Sequence, residues 1–189
     1  MKNYLFKSKR LCFRNWIETD LSKMATINSD PKVMEFFPST LTREQTAAFI
    51  ERMQIGYAEH GFCYFAVDLL KTNEFIGFIG LHNQTFESEF TPCVDIGWRL
   101  NSNYWNKGYA TEGAKKCLGW AFKHFNLENV MAIAPSINLN SIKVMKKIGM
   151  QKVKHFNHPT LAGNERLEDC VLYQISNPKL SVELSLTAL

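Results

Sequence analysis

The chain has 189 residues, 46% of them apolar and 21% charged, with 14 phenylalanines. This composition excludes a disordered or low-complexity chain, and the length suits one domain that buries about two thirds of its unfolded surface. The formal net charge of +4 is scattered with no basic run, so nucleic-acid and membrane binding are not implied, whereas an anionic small ligand is compatible with it.

The five cysteines, Cys12, Cys63, Cys93, Cys117 and Cys170, lie far apart with no Cys-x-x-Cys pair. That argues against a disulfide framework and against a zinc site, and no metal is expected. No segment reaches the roughly 20 apolar residues of a membrane span, and the N-terminus lacks a signal-peptide pattern. The expectation is a soluble, cytoplasmic protein.

In chain order, Leu11 and Phe13 with Trp16 and Ile17 predict a first strand, and Thr19 or Asp20 caps a helix to about Ile27. Pro31 breaks it. Thr42 and Gln45 form a capping box, and Phe49, Ile50, Met53 and Tyr57 recur at helical spacing, so a second helix ends before Gly61. Residues 62–69 and 74–81 are β-rich and joined as a hairpin. In residues 93–100, Val94, Ile96, Trp98 and Leu100 face one way and Asp95, Gly97 and Arg99 the other.

The next helix, Ala110 to Phe125, has one apolar stripe and turns Lys115, Lys116 and Lys123 to water. A short strand at 130–134, a helix from Asn138 to Ile148 ending at Gly149, and strands near 150–156 and 168–176 complete a mixed α/β fold. Residues 1–178 read as a single domain and 179–189 as a loose C-terminal tail.

Where the strand at 93–100 gives way to the helix at 110, a glycine-bearing turn stands at a helix N-terminus. Unpaired backbone N–H groups and the positive end of the helix dipole converge there, which suits a phosphate or diphosphate. Asn138 and Ser141 open a second helix further on. The glycine turn lacks the patterns of P-loop and dinucleotide-binding proteins, which disfavours a nucleotide-binding domain.

The segment Trp105, Asn106, Lys107, Gly108, Tyr109, Ala110 resembles the Gln/Arg-x-x-Gly-x-Gly/Ala signature of the GNAT N-acetyltransferase superfamily. With Tyr104, Thr111 and Glu112 around it, it looks like the RimJ/RimL branch, as do Asn138, Ser141 and Lys147 to Met150. Asn106 stands where that family often has glycine. The resemblance covers about residues 9–176 and implies the GNAT fold, with a mostly antiparallel sheet of about seven strands flanked by helices.

It also implies acetyl-CoA as acyl donor, held at its diphosphate by the amides of Asn106, Lys107, Gly108, Tyr109, Ala110 and Thr111, with Lys107 adding charge. Trp98, Arg99 and Leu100 would pair with the pantetheine arm, with a backbone N–H of Trp98 or Arg99 on the thioester carbonyl. Trp105 would wall the cleft and Asn138 would hold the arm. Asp95 is the expected base and Ser141 the expected acid, because the family's usual tyrosine position is Met145. The bland alternatives are a solvent-facing Asp95 and a capping Ser141. His82 is a lesser candidate for the base.

By the same resemblance the acceptor is a protein N-terminus, a small amine or a polyamine, and a homodimer is possible. A non-catalytic acyl-CoA-binding module is the rival reading, which Met145 keeps open.

Overall fold

The computed structural model describes residues 2–178, so the expected tail at 179–189 falls outside the described residues. Eight strands form one sheet: β1 (Phe6–Lys7), β2 (Leu11–Arg14), β3 (Tyr64–Leu69), β4 (Phe75–Gln84), β5 (Cys93–Leu100), β6 (Asn129–Pro135), β7 (Gln151–Asn157) and β8 (Asp169–Ser176). Their order across the sheet is β1-β2-β3-β4-β5-β6-β8-β7. Every pairing is antiparallel except the parallel β5–β6. The strand added to the expected seven is β1, whose two residues are too few to carry an alternating pattern.

Four helices cover the sheet: α1 (Asp20–Ser29), α2 (Arg43–His60), α3 (Tyr109–His124) and α4 (Leu139–Lys147). The capping box at α2 is formed, with Thr42 accepting from the Gln45 amide and the Gln45 side chain accepting from Thr42, and left-handed Gly61 ends the helix. Neighbouring residues of β4 show how the layers divide. The Phe78 ring meets Phe49 of α2 at 5.3 Å, while the Ile79 carbonyl lies 3.7 Å from Cys117 Sγ of α3. The α1–α2 pair thus covers one face and α3 the other.

At the β2 end, Arg14 is 1% exposed, and its guanidinium is held between two buried carboxylates. It donates to Asp20 at 2.6 and 2.8 Å and to Asp68 at 2.8 and 3.0 Å. This cluster ties β2, β3 and α1 together. Arg14→Leu should cost about 3–5 kcal/mol of unfolding free energy in a denaturant titration, because two carboxylates stay buried without their cation. Lys2→Met, at the partly exposed rim 2.9 Å from Asp68, should cost under about 1 kcal/mol.

Candidate active site

Pairing between β5 and β6 is confined to Asp95 and Met131. Beyond that point the strands part. The Asn101 amide donates to the Ile76 carbonyl at 2.9 Å, which fixes the odd-numbered residues of this stretch as those whose backbone addresses β4. The even-numbered residues address the other edge, so the N–H groups of Trp98 and Leu100 face the gap. Arg99, the alternative oxyanion donor, spends its amide on β4. The Leu100 carbonyl takes the Trp105 indole N–H at 2.8 Å, which closes the end of the gap and sets the ring as its wall.

The chain then makes a 3-10 turn at Ser102–Tyr104 and enters α3 through two left-handed residues, Asn106 (φ 59°) and Gly108 (φ 79°). Asparagine is among the few non-glycine types that adopt this conformation, so it serves where glycine is common. Gly108 is the N-cap, so the helix starts at Tyr109, one residue before the expected start at Ala110. The turn is braced from β2's entry: Arg10 donates to the Lys107 carbonyl at 3.0 Å and to Glu112 at 2.6 Å, and stacks on Tyr109 at 4.5 Å. Burial raises the pKa of Glu112, but hydrogen bonds from Ser8 and Arg10 outweigh it and hold the carboxyl below its usual value. The tie of Glu112 to Arg10 spans 102 positions and leaves no local signal in the sequence.

Across the gap, Asn138 caps α4, its Oδ1 accepting from the Ser141 amide at 3.1 Å. Ser141 Oγ has no protein partner among the described residues. Met145 is 1% exposed and packs in the core, so the position of the family tyrosine does not address the gap. A cavity of about 320 Å³ joins these parts, lined by Trp98, Arg99, Leu100, Trp105, Asn106, Gly108, Tyr109, Ala110, Thr111, Asn138 and Ser141 among others. Lys107 stands beside it over the Tyr104 ring. The residues present fit an extended thioester ending in a diphosphate: an open strand edge, a left-handed turn of free amides at a helix N-terminus, and the cations Lys143 and Lys147 along the lining.

Asp95 lies elsewhere. It is 6% exposed, beneath the α1–α2 face rather than in the cavity lining, and is not the solvent-facing residue of the bland reading. Its carboxylate accepts the Tyr64 hydroxyl at 2.7 and 2.8 Å, and Gln84 Nε2 donates to Tyr64 Oη at 3.2 Å. Gly97 leaves the room that Tyr64 needs, since a Cβ there would stand 2.9 Å from the tyrosine ring. Burial pushes the Asp95 carboxyl up to about 6, with the Tyr64 hydrogen bond pulling the other way. Burial and the adjacent Asp95 raise Tyr64 well above the usual phenol value. His82, paired opposite Asp95 in the sheet, has a buried Nδ1 without a protein partner and a pKa lowered by burial.

Comparison with known proteins then decides the family. A profile described as Acetyltransferase (GNAT) domain matches residues 10–151. The chain belongs to the GNAT acetyltransferase family. Among curated relatives, the uncharacterized N-acetyltransferase YnaD of Bacillus subtilis is 35% identical over 159 residues, covering 84% of this chain and 89% of YnaD. Among solved structures, a GNAT-family acetyltransferase from Bacillus anthracis matches with a TM-score of 0.76 at 31% identity, covering 90% of this chain and 97% of its own. RimL, a ribosomal L7/L12 α-N-protein acetyltransferase in complex with coenzyme A, matches in fold, with a TM-score of 0.73 at 12% identity over 92% of this chain and 98% of RimL.

The protein is therefore an acetyl-CoA-dependent N-acetyltransferase with the GNAT fold. Among the described residues no group of His, Cys, Asp or Glu is placed to hold a metal ion, and no helix is long and apolar enough to cross a membrane. Gly108→Val should weaken coenzyme A binding at least about tenfold by calorimetry, an affinity change of about 1.4 kcal/mol. It should also lower stability by roughly 1–2 kcal/mol, because a β-branched residue is forced to φ 79°. Unchanged affinity would refute the role of this turn.

Proposed function

We propose that this acetyltransferase moves the acetyl group straight to a primary amine, of a protein N-terminus or a small molecule, with no covalent enzyme intermediate, as a RimJ/RimL-like enzyme. Acetyl-CoA supplies the activated thioester. What supports the reading most is the unpaired edge of β5 opening into the same cavity as the left-handed turn at the start of α3.

In this scheme the amides of residues 106–111, with Lys107, hold the diphosphate, and Asn138 and the edge of Leu100 hold the pantetheine arm. The Trp98 N–H donates to the thioester oxygen, on which negative charge grows as the amine attacks. The new N–C bond forms as C–S breaks, and the Ser141 hydroxyl stabilises the departing thiolate at the α4 N-terminus. An amine is mostly protonated at neutral pH, so a proton must first leave it. Asp95 accepts that proton through Tyr64, whose oxygen hands one proton to the carboxylate as it takes another. A carboxyl held at about 6 is ionised at neutral pH yet far more basic than an exposed aspartate.

The family activity is tested by thiol release with a panel of amines and peptides. Absence of turnover with every acceptor, alongside tight coenzyme binding, would favour a binding module. The pH profile of kcat/KM tests the relay. A carboxylate base loses activity as pH falls through its pKa, so an acidic limb near pH 6 should sit below the rise due to amine deprotonation. Asp95→Asn should erase that limb. Tyr64→Phe removes the hydroxyl through which the proton passes, so it should erase the limb as Asp95→Asn does. A profile unchanged in both variants would leave His82 or water as the base.

A further inference from the structure

Building on the acetyltransferase reading of the cleft, we infer that Arg99 selects its acceptor: the substrate amine also carries a carboxylate, which the Arg99 guanidinium binds. Arg99 lines the cavity, but its side chain lies on the Asp95 face of β5, opposite the face covered by α3 and its phosphate-binding turn. The anion it meets therefore belongs to the acceptor and not to the coenzyme.

The group is poorly matched inside the protein. Nη1 donates to Asn28 Oδ1 at 2.7 Å, while Nε is buried with no partner. Nη2 has no protein acceptor, and among the described residues no carboxylate forms an ion pair with Arg99. Burial draws its pKa down to about 10, so it is still a cation at neutral pH. The guanidinium lies 4.1 Å over the Phe37 ring and 5.5 Å from Phe78, which fix its plane. Arg14 shows how this chain treats a buried arginine that is purely structural, with a carboxylate on each side.

The surrounding wall suits such a ligand. Val33, Phe36 and Phe37 put apolar surface along the same cavity, and a guanidinium–carboxylate pair gains strength where a bound ligand displaces water from such a surface. The nearby acid, Glu35, leans 3.7 Å from Arg166, whose Nη1 also donates to the Glu35 carbonyl at 2.7 Å. A polyamine, cationic along its length, would have to sit beside an uncompensated arginine, so the site selects against it.

The carboxylate could come from a free amino acid or from an acidic residue at a peptide N-terminus, and two arms of one assay separate them. Each free amino acid is compared with its amide, and each peptide opening on Asp or Glu with its Asn or Gln counterpart, with spermidine as a cationic control. An amino-acid amide has the less basic amine, so ionisation of the nucleophile biases that comparison against this inference. In one arm the acid should exceed its amide in kcat/KM by about tenfold or more. Arg99→Gln should collapse that ratio towards one, and Arg99→Lys should restore part of it.

Equal turnover of acid and amide in both arms, or spermidine as the best acceptor, would overturn the inference. So would a uniform loss across all acceptors in Arg99→Gln, since that marks a mere staple between β5 and Asn28. If no amine is turned over, the enzyme reading fails separately. Calorimetric binding of N-acetyl amino acids against N-acetyl amino-acid amides to the coenzyme A complex then decides the carboxylate preference alone, with equal affinities refuting it.

Discussion

The site depends on a pairing that stops. β5 is laddered to β4 from Cys93 to Leu100, yet meets β6 at one residue pair, and the backbone of Trp98 and Leu100 is left facing a gap. An unsatisfied strand edge in a protein interior is costly unless something completes it. Trp105 completes one carbonyl, and an extended ligand is the natural partner for the rest. The same divergence makes room for the N-terminus of α4 and sets it facing the N-terminus of α3, so two helix starts converge on one cavity.

Because β5 is central, its two faces do different work. Trp98 and Leu100 belong to the α3 side, where the turn at Asn106 and Gly108 gathers amides for an anion. Asp95 and Arg99 belong to the α1–α2 side, among Tyr64, Phe78 and Phe37. One strand thereby keeps the left-handed turn and its free amides apart from the two desolvated charges. The Arg10–Glu112 brace holds the turn from outside, so its shape does not depend on a bound ligand.

What could be read from the sequence was what is local in the chain. The α2 capping box, the amphipathic stripe of α3 and the glycine turn all lie within a few residues of their partners, and the GNAT resemblance rested on the motif at that turn and on the segment from Asn138 to Met150. The Tyr64–Asp95 pair could not be read, because it depends on the register of β3 against β4 and of β4 against β5. Gly97 was its one trace, a strand glycine where a ring needs space. The choice of Trp98 over Arg99 as the donor into the gap likewise needed the hydrogen-bond parity of β5, which sequence alternation of side chains does not supply. The α3 start shifted because Gly108, in the left-handed region, is itself the cap.

Asp95 and Arg99 share a strand face and carry opposite charges, yet they do not pair. Four residues of extended chain put them roughly 13 Å apart, with Tyr64 filling the space above Gly97 between them. Each is desolvated and each is met by neutral groups, a phenol for the acid and an amide for the guanidinium. In the Arg14 cluster, by contrast, opposite charges are brought into contact and neutralised. Closing the Asp95–Arg99 distance would relieve both desolvation costs and return both groups toward ordinary ionisation, at the loss of a carboxylate of raised pKa and a cation without a counter-charge. The fold keeps them apart and bears the cost, which is the pattern expected where stability is traded for reactivity.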